Sequence, residues 1–498
     1  MRSKCLRVWV AIVGSIAVGF GTAAAAAQPL ERLEAKSNVI DIREGDELFK
    51  QSWTLSKEVN PDIKKVNLAK GQRQQICFIS QSNSLCRTVG VGETSDFIIT
   101  YDGYDYPTRV EGVYVPPAAR FDAKYRSAHR GKVTTLIPEV YELVNVAIAL
   151  TPFAQEPDRY LVVMDTPYFT ALKRHFAGVA GHPFVKWLDA EMRRDMGLYF
   201  NHKMDGYSFV YDRNGRIVRS PIYDRTAFPG ASGNSLLPML AQMRDFSAKS
   251  KFRQFYAAHR PLYRQQVQAI EQDMDIDGMV AWLKREFPRV KPYDHIKIVF
   301  SPLVYGSQSV TWMESNGFKE LQPHVNFPYA HHYKLPMTDK AIALMRGDLL
   351  FTEINHGFIN PTADGYPAEI DAALGERKNW VREGQTTKGY PNNYSVFNEM
   401  MNWGLVNLYY VDRAPAADLD ALIAQNNRHQ SKGRGFIRFP EFSDFLVKLY
   451  RERPAGTTVA DLYPQIIAWF AANRGTNNNP TSAEAEQATP VASRGSAL

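Results

Sequence analysis

The chain has 498 residues, 45% of them hydrophobic and 22% charged, and its 25 tyrosines and 27 phenylalanines exclude a disordered chain. That length accommodates roughly two to four domains. The formal net charge is +7, with no dense Lys/Arg block, so nothing here forms a nucleic-acid footprint.

The first residues, "MRSKCLRVWVAIVGSIAVGFGTAAAAAQP", place Arg2, Lys4 and Arg7 before an apolar run over 8–20 and a small-residue run ending at Ala27. That is the layout of a secretory signal peptide over 1–27, cleaved after Ala27. Its removal takes away three basic residues and leaves a charge of about +4. The expected location is therefore exported, periplasmic or secreted, with no stable membrane span after cleavage. Two cysteines remain, Cys77 and Cys86, and in an exported chain an even pair reads as a disulfide.

Residues 28–125 form a β-rich N-terminal region: "QQICFISQ", "SDFIITYDG" and "RVEGVYVPP" are short β-prone runs bounded by turn residues. Pro116-Pro117 and the polar run to Arg130 read as a linker. From 131 the texture is helical. "IPEVYELVNVAIALT" puts Val140, Leu143, Val144, Ala147 and Ile148 on one face. "HIKIVFSPL" and "SVTWMES" read as strands, and "ELQPHVNFPYAHHYKLP" as loop. Then come a helix over 352–358, ended by Asn360-Pro361, the helix "YSVFNEMMNWGLVNLYYVDR", and two more around 440–451 and 460–473. Residues 475–498 are poor in apolar residues and read as a disordered tail. The expected fold is α+β: a mainly helical domain over 131–474 with a short sheet, plus the β-rich region.

The chemistry concentrates in "LLFTEINHGFINP", residues 349–361. A zinc-peptidase helix carries H-E-x-x-H, with two imidazoles at i and i+4 on one ion and a Glu general base between them. Here Glu353 and His356 hold the base and second-ligand positions, and Thr352 stands where the first His belongs. A further ligand has to come from another helix. Glu399, an acid among Val396, Phe397, Met400, Met401 and Leu405, fits that role or a salt bridge to an arginine. No G-x-S-x-G elbow or phosphate loop competes; "GASGNS" lacks the G-K-[ST] that would make it one.

Several stretches, in order, resemble an uncharacterised bacterial family, domain of unknown function 4932, which looks like a zincin peptidase. They are "YELVNVAIALT", "HFAGVAGHPFVKW", "LLPMLAQMRDFSAKSKFRQFYAAHRPLY", "KIVFSPLVYGSQS" and "GRGFIRFPEFSDFLVKLY", with "TEINHGFINP" against that family's H-E-F-S-H-x-F-V-N-P. The resemblance spans roughly residues 136–450, about two thirds of the chain after 27. It implies a zincin-like domain with Glu353 as general base and His356 and Glu399 as zinc ligands. It also implies a peptide or protein substrate.

Thr352 departs from that pattern, and a hydroxyl is a poor zinc ligand. Three readings follow. The site has lost its chemistry and the cleft binds a peptide or glycan; or His324, His331 or His332 replaces the missing ligand; or Glu353 itself joins His356 and Glu399 on a metal. The expectation is a metallopeptidase relative with a weakened zinc site, of low or no activity, with an exported binding protein as the alternative.

Overall fold

The computed structural model describes residues 29–45, 51–81, 83–226, 233–306, 308–382 and 384–474. The signal peptide and the C-terminal tail expected from sequence lie outside these residues.

The N-terminal region is a sandwich of two four-stranded sheets. In one, Arg32–Glu34, Thr94–Tyr101, Tyr104–Tyr114 and Asp62–Leu68 lie in that spatial order. In the other, the order is Gln51–Thr54, Val39–Glu44, Arg73–Ser80 and Asn83–Gly90. Alternation along each strand sends Ile40, Ile42, Ile76, Phe78, Val66, Leu68, Phe97, Ile99 and Val110 into one shared core. Phe78 and Phe97 meet edge-on, with ring centroids 4.8 Å apart. Asp102 and Gly103, with φ of 51° and 73°, make the left-handed two-residue turn that matches the strand twist of the Thr94–Tyr101 hairpin. Cys77 and Cys86 are directly opposed on neighbouring strands, and a disulfide joins them.

The segment read as a linker, residues 116–130, is instead built into the larger unit. Ala119 bridges to Tyr223, Phe121 is fully buried, and Ala123–His129 is a helix capped by Asp122. Its polar residues lie outward while Phe121 and Tyr125 fill a cluster with Tyr141, Tyr207, Tyr223 and Phe318, so polarity alone misled the reading.

The larger unit holds a four-stranded sheet in the order Ser309–Ser315, Phe318–Asn326, His295–Ser301, Lys132–Leu136. The last three strands are mutually parallel, and Ser309–Ser315 is an antiparallel edge. Phe318–Asn326 falls largely in the stretch expected to be loop. Its alternate residues Glu320, Gln322 and His324 are polar yet buried, because they face an ionic cluster rather than water. There Glu320 accepts from Tyr125 at 2.5 Å and Tyr223 at 2.7 Å and pairs with His295 at 2.7 Å. The opposite face, with Ile296, Ile298, Phe300, Leu321 and Val325, joins the main core.

On that core pack the helices Glu139–Ala149, Asp339–Ala363 and Asn393–Arg413. The chain is thus a mixture of helices and several small sheets, and among the described residues no helix is long and apolar enough to cross a membrane.

Candidate functional site

The helix Asp339–Ala363 starts at Thr338, whose hydroxyl accepts from the Ala341 N–H at 3.3 Å. Contrary to the sequence reading, it does not stop at Asn360 but continues past Pro361 to Ala363. Proline there removes the N–H that Gly357 O would receive. The Tyr293 hydroxyl supplies the missing donor, 3.2 Å from Gly357 O. Gly357 makes room for it: a Cβ at this position would lie 2.8 Å from the Tyr293 ring. The helix therefore survives its proline and carries Glu353 and His356 without a break.

The helix Asn393–Arg413 runs against it, nucleated by a reciprocal Asn392–Ser395 cap, and the Asn355 amide donates to Asn402 O across the contact at 3.1 Å. This packing brings Glu399 to His356: Glu399 Oε1 lies 3.2 Å from His356 Nε2. Asn402 Nδ2 is 2.9 Å from the same nitrogen, and Asn360 Oδ1 is 3.3 Å from Nδ1. The side chains of His356 and Glu399 retain 15% and 13% exposure. Met400, Met401 and Trp403 on the same helix are core.

Sequence reasoning missed Arg434. Its Nη2 lies 3.0 Å from Glu399 Oε2, and it also donates to the Tyr390 hydroxyl. It ends a π-helical turn, His429–Arg434, closed by Gly435 at φ 102°. Widened turns of this kind re-aim a side chain. A Cβ at Gly435 would also press on Gln385 at 2.5 Å, so glycine is needed twice over. A buried amide chain holds the guanidinium from behind. Arg434 Nη1 donates to Gln430 Oε1 at 3.0 Å, Gln430 to Asn426 at 3.1 Å, and Asn426 to Asn407 at 2.9 Å. A lone arginine in "SKGRGF" carries no mark of this in sequence; only the Gly on either side hints at an unusual turn.

Glu399 is thus held between an imidazole and a guanidinium. Burial alone would raise its carboxyl, but the hydrogen bond from His356 and the Arg434 charge prevail and bring it down to about 2. Burial opposes a charged imidazole at His356, yet Glu399 outweighs it and holds His356 above its ordinary value. Glu353 is different: burial pushes its carboxyl up to about 7, eased by His356 and raised further by Glu399. Lys203, on the helix Leu198–Asp205, is fully buried and driven down to about 7, with Glu353 opposing that drop.

The histidines considered as replacement ligands go elsewhere. His324 is buried on its strand with Nε2 3.0 Å from Gln322 Oε1, and burial together with Lys203 keeps it well below its ordinary value. His331 and His332 turn their Nε2 atoms to Asp165, at 3.1 and 3.0 Å. His175, His182 and His259 make capping and core hydrogen bonds, to Ser250 O, to the Phe184 N–H with Asp245, and to Phe255 O.

Zinc donors about 2.0–2.2 Å from one tetrahedral ion lie roughly 3.3 Å apart, and the His356–Glu399 spacing of 3.2 Å matches one such edge. The rest of the donor set does not fit. The Thr352 hydroxyl turns back on its own helix and donates to Leu349 O at 2.9 Å. Among the described residues, three imidazole or carboxylate donors able to share one ion occur at Asp165, His331 and His332, and not at Glu353, His356 and Glu399. The outer oxygen of Glu399 is already occupied by a guanidinium. Two donors beside a fixed positive charge are a poor seat for a divalent cation.

Comparison of the chain with protein-family models, with curated proteins and with solved structures returns no match.

Proposed function

We propose that this protein is an exported, zincin-like relative inactive as a zinc peptidase at Glu353, and that its cleft binds an extended peptide. One observation carries the reading: Arg434 neutralises Glu399 where a metal site would keep that carboxylate free. The order of motifs supports the zincin-like part, as does the E-x-x-H helix lying against a mixed sheet. Export is supported by the signal-like N-terminus and the Cys77–Cys86 disulfide. For the ligand class, the sheet ends beside this helix in the edge strand Ser309–Ser315, with Trp312 42% exposed. An extended peptide adds to such an edge through its main chain, and an exposed ring gives it a side-chain anchor.

The test uses the full chain, a mixture of unstructured peptides and added zinc, with products read by mass spectrometry. No zinc-dependent cleavage is expected. Cleavage that a chelator stops and Glu353→Gln abolishes overturns the reading. For binding, peptides selected by display on the wild type are expected to lose at least tenfold in affinity on Trp312→Lys; peptides indifferent to that change would place the binding elsewhere.

A further inference from the structure

The histidine pair left out of the site above has its own geometry. Ala330–His332 is a single 3₁₀ turn. In such a turn successive side chains project about 120° apart, so neighbouring histidines ordinarily diverge. Here they converge: His331 Nε2 lies 3.1 Å from Asp165 Oδ2, and His332 Nε2 lies 3.0 Å from the same oxygen and 3.3 Å from Oδ1. The two ring centroids are 4.3 Å apart.

The rings are held by fixed neighbours. Tyr329 packs against both, at 5.6 and 6.0 Å, and Tyr305 meets His332 edge-on at 5.5 Å. Tyr329 is itself pinned, donating to Pro302 O at 3.0 Å and accepting from Gln266 at 3.1 Å. Asp165 directly precedes Thr166, which caps the helix Pro167–His175, so its backbone is anchored too.

We propose that Asp165, His331 and His332 form a surface site for a divalent transition metal of the imidazole-binding class, with zinc as the reference ion. The two imidazole–carboxylate distances of 3.1 and 3.0 Å to Asp165 Oδ2 are close to the edges of a tetrahedron drawn around such an ion, and the three donor atoms all lie within 4.8 Å of one another. Two neutral imidazoles and one carboxylate suit zinc, nickel or copper and not calcium or magnesium, which take oxygen. Without the ion each Nε2–H donates to Asp165. With it, each imidazole carries its one hydrogen on Nδ1 instead, exchanged through solvent, and turns the Nε2 lone pair to the metal. Asp165 and His331 are 58% and 41% exposed at the side chain, so water completes the coordination. The inference does not depend on the reading of Glu353, whose donor set is separate.

The experiment is calorimetric titration of the full chain, free of any histidine tag, with zinc, and with cobalt for its visible absorption. One ion per chain is expected. Asp165→Asn and His332→Ala should each weaken binding at least tenfold and remove the cobalt bands, with an unchanged circular dichroism spectrum. His356→Gln should leave both readouts in place. The proposal fails if the wild type takes up no zinc. It also fails if the double variant Asp165→Asn/His332→Ala binds as the wild type does, or if His356→Gln alone abolishes uptake.

Discussion

Arg434 Nη2 lies 3.0 Å from the Glu399 oxygen that faces away from His356, while the other oxygen lies 3.2 Å from the imidazole. The carboxylate is fixed from both sides, and the two helices and the π-turn that supply these residues are locked together through it. Removing one partner of a buried pair leaves a charge with too little compensation. Arg434→Leu is expected to destabilise by about 3 kcal/mol, read as a lower urea midpoint. Glu399→Gln/Arg434→Leu should recover part of that loss, since no lone charge remains. An Arg434→Leu chain as stable as wild type would remove Arg434 from the account.

The arginine also changes what a restored motif can do. Thr352→His supplies the first imidazole of an H-E-x-x-H helix, but the cation on Glu399 stays. Thr352→His alone is therefore expected to bring no gain in zinc affinity at this helix. Thr352→His/Arg434→Leu should bind at least tenfold more tightly than Thr352→His. Both are to be compared in an Asp165→Asn/His332→Ala background, where the surface histidines do not contribute. Tight zinc binding by the single variant would show that Arg434 is no obstacle.

Part of this was legible beforehand. The E-x-x-H spacing and the lone acid on an apolar helix pointed to Glu353, His356 and Glu399, because helical periodicity fixes which residues share a face. The salt bridge weighed for Glu399 is present, with Arg434 as the arginine. Two things stayed hidden for physical reasons. Arg434 arrives through a π-turn and a chain of buried amides, neither of which has a sequence period. The strand Phe318–Asn326 looked like loop because Glu320, Gln322 and His324 are polar. Yet Asn316-Gly317, both at positive φ between paired strands, is a hairpin signal that could have found it.

The carboxyl groups of the site set opposite pH windows. Glu353 rises from its ordinary 4.5 to about 7 when folded, so the folded state keeps a proton that the unfolded chain has lost. Its contribution is complete below 4.5 and disappears as pH rises through 7. Glu399, brought down to about 2, behaves the other way: its contribution holds above 4.5 and fades as pH falls toward 2. Lys203, at about 7 when folded, alters stability only at higher pH. Between pH 5 and 7, the wild type should lose no more than about 3 kcal/mol through Glu353. Glu353→Gln should flatten that fall in urea unfolding. An equal slope in both chains would mean that Glu353 is ionised throughout.

The passage of the site helix through Pro361 rests on Tyr293, and a double-mutant cycle tests it. Tyr293→Phe removes the hydroxyl that serves Gly357 O and leaves a buried carbonyl without a donor, at a cost of about 1–2 kcal/mol. Pro361→Ala restores an N–H at the position four residues on, where the helix would ordinarily supply one. In the wild type that N–H competes for a carbonyl already satisfied. In the Tyr293→Phe background it takes the vacated place. Pro361→Ala should therefore stabilise Tyr293→Phe more than it stabilises the wild type, by about 1 kcal/mol of coupling. Gly357→Ala should destabilise despite the better helix propensity of alanine, because the new Cβ would lie 2.8 Å from the Tyr293 ring. In Tyr293→Leu, where that ring is gone, the same glycine substitution should cost less. Purely additive effects of Tyr293→Phe and Pro361→Ala would show that the hydroxyl does not stand in for the missing N–H.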